Sequence, residues 1–299
     1  MRRIFLVIVA AAVLSLATHT VRAQQQFKVF ASVADAAGNP VATLEPTDLK
    51  IQEAGLDAKI VAVEPITWPT KLQVLVDNGV GLGGNFQILR EALKGLLDTL
   101  PEGMEVTLVT TAPQPRFLVR ATTDKKVLTE GLGRLSPDDG TGRFVDSLAE
   151  AAQRVERDKS DHFPVILTAG TTVGDSNVLE RDVNRIFDRL KGRPAIVHVV
   201  LLTVTGGTAA TLGANQTQVG LAVAKYTSGR YENIAAITRL TTLLPELGKQ
   251  VAASHAKQSR QFRLTVERPA GAKGELDQIA AGARSGLVLR GLSMDGRQP

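Results

Sequence analysis

Three runs in the middle of the chain, "LQVLVD" (72–77), "FPVILTAG" (163–170) and "AIVHVVLLTV" (195–204), are apolar at almost every position rather than at every second one. A strand with water on one face alternates. Runs without alternation belong to strands covered on both faces, the condition of a parallel sheet. The segments between them have helical spacing. In "FQILREALKGLLDTL" (86–100), Phe86, Leu89, Leu93, Leu96, Leu97 and Leu100 fall on one face. "KKVLTEGLGRL", "FVDSLAEAAQRVERD", "SNVLERDVNRIFDRLKG", "QTQVGLAVAKYTSG" and "ITRLTTLLPELGKQVAASH" read as further helices. Asn177 and Glu180 have capping-box spacing, and Pro245 is expected to kink or split the last helix. "MEVTLVTTA" and "RFLVRAT" add strands. The expected fold is α/β: a doubly wound, mostly parallel sheet with helices on both faces.

The two ends of the chain have a different period. "FKVFASVAD", "DLKIQEAG" and "DAKIVAVE" alternate around turn residues before residue 65, and "QFRLTVERP" and "GLVLRGLS" do so after residue 260. Neither end is long enough for a core of its own, so the two are expected to pack together as a small β module. The boundaries read from the sequence are an N-terminal β segment over 24–69, an α/β domain over 70–258 and a C-terminal β segment over 259–299. "EPITWP" (64–69) marks the first junction.

Residues 1–23 are a separate object. Arg2 and Arg3 precede a 14-residue apolar run, "IFLVIVAAAVLSLA", and "VRA" ends at Ala23. This is the pattern of a secretory signal peptide cut after Ala23, which implies a periplasmic or secreted protein. The run is shorter than the ~20 residues a spanning helix needs. No second long apolar segment follows, so no stable membrane insertion is expected after cleavage. Arg2, Arg3 and Arg22 supply three of the five net positive charges, and the remaining +2 gives no case for a nucleic-acid partner. The absence of cysteine excludes thiol catalysis, cysteine–zinc sites and disulfides.

The first apolar run ends in Asp77 and passes through "NGVGLGGN" into a helix. An acid at a strand end followed by a loop can hold a metal. Gly79, Gly81 and Gly84 also spell the phosphate-cradling pattern G-x-G-x-x-G. The dinucleotide form of that site needs an acid at the end of the next strand, where Thr110 and Thr111 stand instead. A third reading is a tight strand-to-helix connection without a ligand.

The order of elements adds to this. Strand–Asp77–helix, then a threonine-bearing loop before a helix ("DDGTGRFVDSL"), then a strand ending in a turn ("VILTAGTT"), resembles the von Willebrand factor type A (VWA) domain over roughly residues 70–255. The N-terminal stretch "VFASVADAAGNPVATLEPTDLKIQEAG" resembles the opening of the VWFA-related acidobacterial domain family. Asp35, Gly38, Pro40, Val41, Leu44 and Asp48 match its loose pattern, and Leu49 replaces the aromatic. The resemblance implies an exported, non-catalytic protein-interaction module. Members of the wider family with an intact adhesion site bind Mg²⁺ through D-x-S-x-S, a threonine and a second aspartate. Asp77 matches the first acid and Thr141 the threonine, but Gly79, Gly81 and Ala169 stand where the other oxygens should be.

A site with two hydroxyls and a carboxylate missing is poor for an ion that wants near-octahedral oxygen. The expectation is a degenerate site, with no cofactor or at most weak Mg²⁺ at Asp77 and Thr141. Restoring the oxygens by Gly79→Ser, Gly81→Ser and Ala169→Asp is expected to create binding. Gly79, Gly81, Asp138 and Asp139 are the expected partner-binding loop residues, for a protein partner that recognises them without metal. No Ser–His–Asp spacing, G-x-S-x-G or H-E-x-x-H is present. His198, inside an apolar run, reads as a buried, satisfied histidine. The competing reading is a structural component of a cell-envelope complex.

Overall fold

A computed structural model of the chain describes residues 25–174, 180–204, 209–270, 272, 276 and 278–296. The expected signal peptide and the Asn177 cap lie outside the described residues. Two six-stranded sheets carry the fold. The first is antiparallel and made from the chain ends: β1 (Gln26–Asp35), β2 (Leu49–Glu53) and β3 (Leu56–Pro65), with β10 (Phe262–Glu267), β11 (Ile279–Ala283) and β12 (Leu287–Ser293), in the order β11-β2-β3-β10-β1-β12. The second runs β6-β5-β4-β7-β8-β9 and uses β4 (Thr70–Val76), β5 (Glu105–Thr110), β6 (Arg116–Thr122), β7 (Phe163–Thr171), β8 (Ile196–Leu202) and β9 (Tyr231–Ile234). All its neighbours are parallel except β5 and β6.

The non-alternating runs are the middle of this second sheet. On β4, Leu72, Val74 and Val76 face one core and Leu75 the other. The first face is covered by α1 (Phe86–Thr99), α2 (Lys125–Gly133) and α6 (Leu240–Gln258), through residues such as Leu93, Leu128 and Leu247. The second is covered by α3 (Phe144–Arg157), α4 (Glu180–Gly192) and α5 (Ala209–Tyr226), through Leu148, Ile186 and Val223. From β4 the chain turns to β5 on one side, and it later returns to place β7 on the other. The carboxyl end of β4, where Asp77 stands, is therefore the switch point of a doubly wound sheet, the place where such folds open a crevice. Among the described residues, no helix is long and apolar enough to cross a membrane.

Two elements differ from the sequence reading. Pro245 does not split α6, which runs unbroken to Gln258. The proline sits on α1 at Gly95, where an added Cβ would lie 2.8 Å from its Cγ, and Gly248 lies against the Leu96 carbonyl in the same interface. Two glycines let these helices approach closely enough to hold the proline. β9 was not expected, because "YENI" is short and polar; pairing with β8 makes it a strand.

The first sheet closes over Val29, Ile51, Leu264 and Val266, all essentially inaccessible. Asp35 and Gly38 of the N-terminal motif form the turn after β1. The Asp35 Oδ1 accepts the Asn39 N–H at 2.8 Å, and Gly38 has φ +91°, a conformation that favours glycine. Asp48, 5% exposed, accepts the Glu45 N–H and pairs with Arg284 at 2.8 Å, tying the first half of the sheet to the second. β10 lies between β3 and β1 and pairs antiparallel with both, with a register shift against β3 between Thr265 and Val266. Deleting residues 260–299 removes that central strand and is expected to abolish hydrogen-exchange protection over residues 27–64. Unchanged protection there would show that the N-terminal strands stand without it.

Candidate functional site

Asp77 follows the last residue of β4 and is 3% exposed. Its Oδ1 accepts the Gly79 N–H at 2.8 Å. Its Oδ2 accepts the Thr171 hydroxyl at 2.7 Å and the Thr171 N–H at 3.2 Å. The carboxyl thus joins the loop after β4 to the end of β7. A third loop seals it: a Cβ on Gly142 would lie 2.6 Å from the carboxyl carbon, so the Gly142 backbone is packed directly on the acid. Backbone bonds zip the loops together, from Val80 N–H to Gly140 O (3.0 Å), Asp138 N–H to Asn78 O (2.8 Å) and Arg143 N–H to Thr111 O (3.0 Å). Gly142 also bridges to Gly174. Gln216 of α5 closes the far side. With its amide nitrogen turned to the Thr171 carbonyl (2.5 Å), its oxygen meets the Gly174 N–H at 3.3 Å.

Burial pushes the Asp77 carboxyl above its ordinary value of 3.8, while the bonds from Thr171 and Gly79 pull the other way. A folded-state pKa above the unfolded one favours folding only when the group is protonated. This contribution is full below the unfolded value and is lost as pH rises through the folded one. Ionising the buried group is a cost that its three donors offset only in part, since the net shift is upward.

The expected site residues are distributed unevenly. Asp77 and Gly79 are together at the centre, and Gly81 packs on Thr171. Thr141 is half-buried in the third loop, whose Gly142 makes the close approach to the acid. Ala169, 5% exposed, gives its carbonyl to the Asp77 N–H at 2.9 Å. Asp138 is half-buried and its Oδ1 accepts the Gly140 N–H at 3.0 Å, whereas Asp139 is exposed. Gly79 is buried and its N–H is already committed to Asp77, so it is not a free donor for a partner's carboxylate. Gly81 is half-buried. Thr171 is the residue that sequence reasoning missed, because the apolar run carries no sign of which hydroxyl at its end turns inward.

Mg²⁺ does not fit the residues as they stand. The carboxyl oxygens already accept three hydrogen bonds, and the space beside them is filled by backbone. Among the described residues no group of three or more acidic, histidine or cysteine side chains is placed to hold a metal. The expectation that serines at 79 and 81 would restore binding fails on space. An added Cβ would lie 2.4 Å from the Gly140 carbonyl at position 79 and 2.4 Å from the Thr171 hydroxyl at position 81. Backbone conformation is not the obstacle, since Gly79 has φ −85°.

The loop after β4 is not a phosphate cradle either. It forms one 3-10 turn over Val80–Leu82, and α1 begins only at Phe86. His198 is 3% exposed, and its Nδ1 accepts the Arg230 N–H at 3.1 Å. Burial, with the nearby Arg230 charge, depresses its pKa to about 4, so it is neutral at physiological pH.

Gly142→Ala should cost ~1–3 kcal/mol, the usual price of overpacking. Gly133→Ala, with nothing within 4 Å of the added carbon, should stay within ~1 kcal/mol of the parent. Urea denaturation of both checks this, and equal stabilities would mean that the Asp77 site is looser than described.

No family model matches the chain, and no curated protein matches it. Solved structures do. A von Willebrand factor type A protein from Catenulispora acidiphila aligns over 88% of this chain and 72% of its own, at 15% identity and a TM-score of 0.53. Proximal thread matrix protein 1 from the mussel byssus aligns over 66% of this chain and 50% of its own, at 16% identity and a TM-score of 0.45. BatB from Bacteroides thetaiotaomicron aligns over 61% of this chain and 98% of its own, at 13% identity and a TM-score of 0.44. Identities this low speak of fold alone, and the first match carries it. The doubly wound sheet with Asp77 at its switch point is the fold of a VWA domain, here joined to a second sheet made from both ends of the chain.

Proposed function

We propose that the chain is an exported, non-catalytic protein-interaction module of the VWA type whose metal site is degenerate. The observation that supports this reading best is the closed Asp77 carboxyl, which accepts bonds from Gly79 and Thr171 and lies under Gly142. An adhesion site that works through a metal must leave its carboxylate open to the ion and to the partner. Recognition at this end of the sheet therefore falls to the loop surface. Val80, 52% exposed, stands on the loop apex, and Asp139 is exposed on the neighbouring loop. An apolar side chain beside an acidic one suits a protein surface with a small apolar recess and a basic rim. The export part of the reading rests on the sequence of residues 1–23.

Affinity capture from a cell-envelope extract, in Mg²⁺ and in EDTA, tests the proposal. The same partner should be retained in both and lost from Val80→Asp. Release by EDTA would contradict metal independence. A stoichiometric complex that survives Val80→Asp would favour the structural-component reading instead.

A further inference from the structure

The face of the parallel sheet packed by α3 is not covered to its edge. The core on that face takes Val109 from β5 and, among the described residues, nothing from the edge strand β6. Beside α3 lies a cleft of about 370 Å³ at the amino ends of β4 and β5, the opposite end of the sheet from Asp77. Thr107 and Gln73 form its floor, and Phe117, Val155 and Pro164 are its apolar walls. Phe117 is 44% exposed. The volume is in the range of small-molecule sites, and a large aromatic side chain left in water at such a cleft is a feature of them.

Phe117 and Arg120 line this cleft together because β6 is irregular. In a regular strand, residues three apart point to opposite faces. Here Val109 pairs with Phe117 but Leu108 with Val119, so one extra residue enters β6 between them. Such a bulge re-aims the side chains that follow it. It brings Arg120 to the face of Phe117, where its guanidinium lies 4.8 Å from the ring centre. Arg154 of α3 lies 5.4 Å from the same ring. The same irregularity makes β6 a poor edge for an extended peptide to pair with, which favours a small molecule as the occupant.

The charges select its sign. Three cations line the cleft, Lys71, Arg120 and Arg154, against two carboxylates, Glu105 and Asp158. His162 also lines it, and burial lowers its pKa and keeps it neutral. Lys71 holds both carboxylates, Asp158 at 2.7 Å and Glu105 at 3.6 Å. Arg154 spends its Nε on Gln73 Oε1 at 2.7 Å and its Nη1 on Glu150 at 3.5 Å. Arg120 is exposed and, among the described residues, has no carboxylate partner. A guanidinium without an acid, beside an exposed ring, suits a carboxylate carried on a flat apolar body.

We propose that this cleft binds a small aromatic monocarboxylate, with its carboxylate on Arg120 and its ring against Phe117. The site is independent of the interaction surface at the Asp77 end.

Benzoate is the probe, followed by NMR through the Phe117 ring and the Arg120 side-chain N–H. It should shift both saturably, in the millimolar range expected of so small a ligand. Benzyl alcohol, with the same ring and no charge, should bind about tenfold more weakly. Arg120→Gln, a change at an exposed side chain, should lower benzoate affinity to that of benzyl alcohol and leave benzyl alcohol unchanged. Val80→Asp should bind benzoate as the parent does, so that failure of this site and failure of the proposed partner surface are separable. No saturable shift with benzoate would overturn the proposal. Equal affinities for benzoate and benzyl alcohol in the parent protein would overturn it as well, and so would an Arg120→Gln variant that binds benzoate as tightly as the parent.

Discussion

The Asp77 carboxyl is carried into a place where only 3% of the residue meets solvent, and three donors, one from the loop after β4 and two from the last residue of β7, converge on it. An ionised carboxylate in such a place is tolerable only when hydrogen-bonded, and bonds to a charged group are the stronger kind. The loop after β4 and the end of β7 are fixed relative to one another because both donate to the same group. The third loop is fixed because Gly142 leaves just enough room to lie on it. The acid at the switch point is the internal tie of the crevice. Gly79, Gly81 and Gly142 have a common explanation in this arrangement, since each lies where a side chain would collide with a neighbouring loop.

The other end of the molecule is organised by packing rather than charge. Phe30 belongs to the first sheet and Phe163 to the second, and Trp68 stands between them with Arg263 over its ring at 5.2 Å. Arg263 also reaches Glu64 within the first sheet and Asp161 just ahead of β7, so one ion pair beside the aromatic junction links the first sheet to the second. Thr70 adds a hydrogen bond to His255 at 2.9 Å. The segment "EPITWP", which reads as a boundary in the sequence, is the hinge pin of this contact: Ile66 is 3% exposed within it. The molecule therefore has a polar, closed end at the switch point and an aromatic, open end between the sheets.

Much of the fold was legible from period alone. Runs buried on both faces announce themselves by lacking alternation, and "LQVLVD", "FPVILTAG" and "AIVHVVLLTV" became the central strands. The pairing of the chain ends also followed from their alternation and shortness. What was not legible depends on space. Nothing local in "YENI" marks a strand until β8 offers an edge. Nothing local shows that Gly95 and Gly248 would let Pro245 lie within an unbroken helix. The candidate site was half legible for the same reason. The end of a strand located Asp77, but its hydroxyl partner is Thr171, 94 positions away, and the backbone packed on it is that of Gly142. Motif spacing pointed instead to Thr141, one residue from the contact.

The central claim is that the Asp77 crevice is closed by its own hydrogen bonds rather than by an ion. Amide hydrogen exchange at Gly79 and Thr171, followed by NMR in EDTA and then in Mg²⁺, tests it most directly, because both N–H groups are bound to the carboxylate itself. The account predicts that both amides exchange slowly in EDTA, more slowly than those of the exposed residues Gly83 and Gly84, and that Mg²⁺ changes neither rate. Rapid exchange in EDTA that becomes slow on adding Mg²⁺ would show that the ion closes the crevice, and would contradict it.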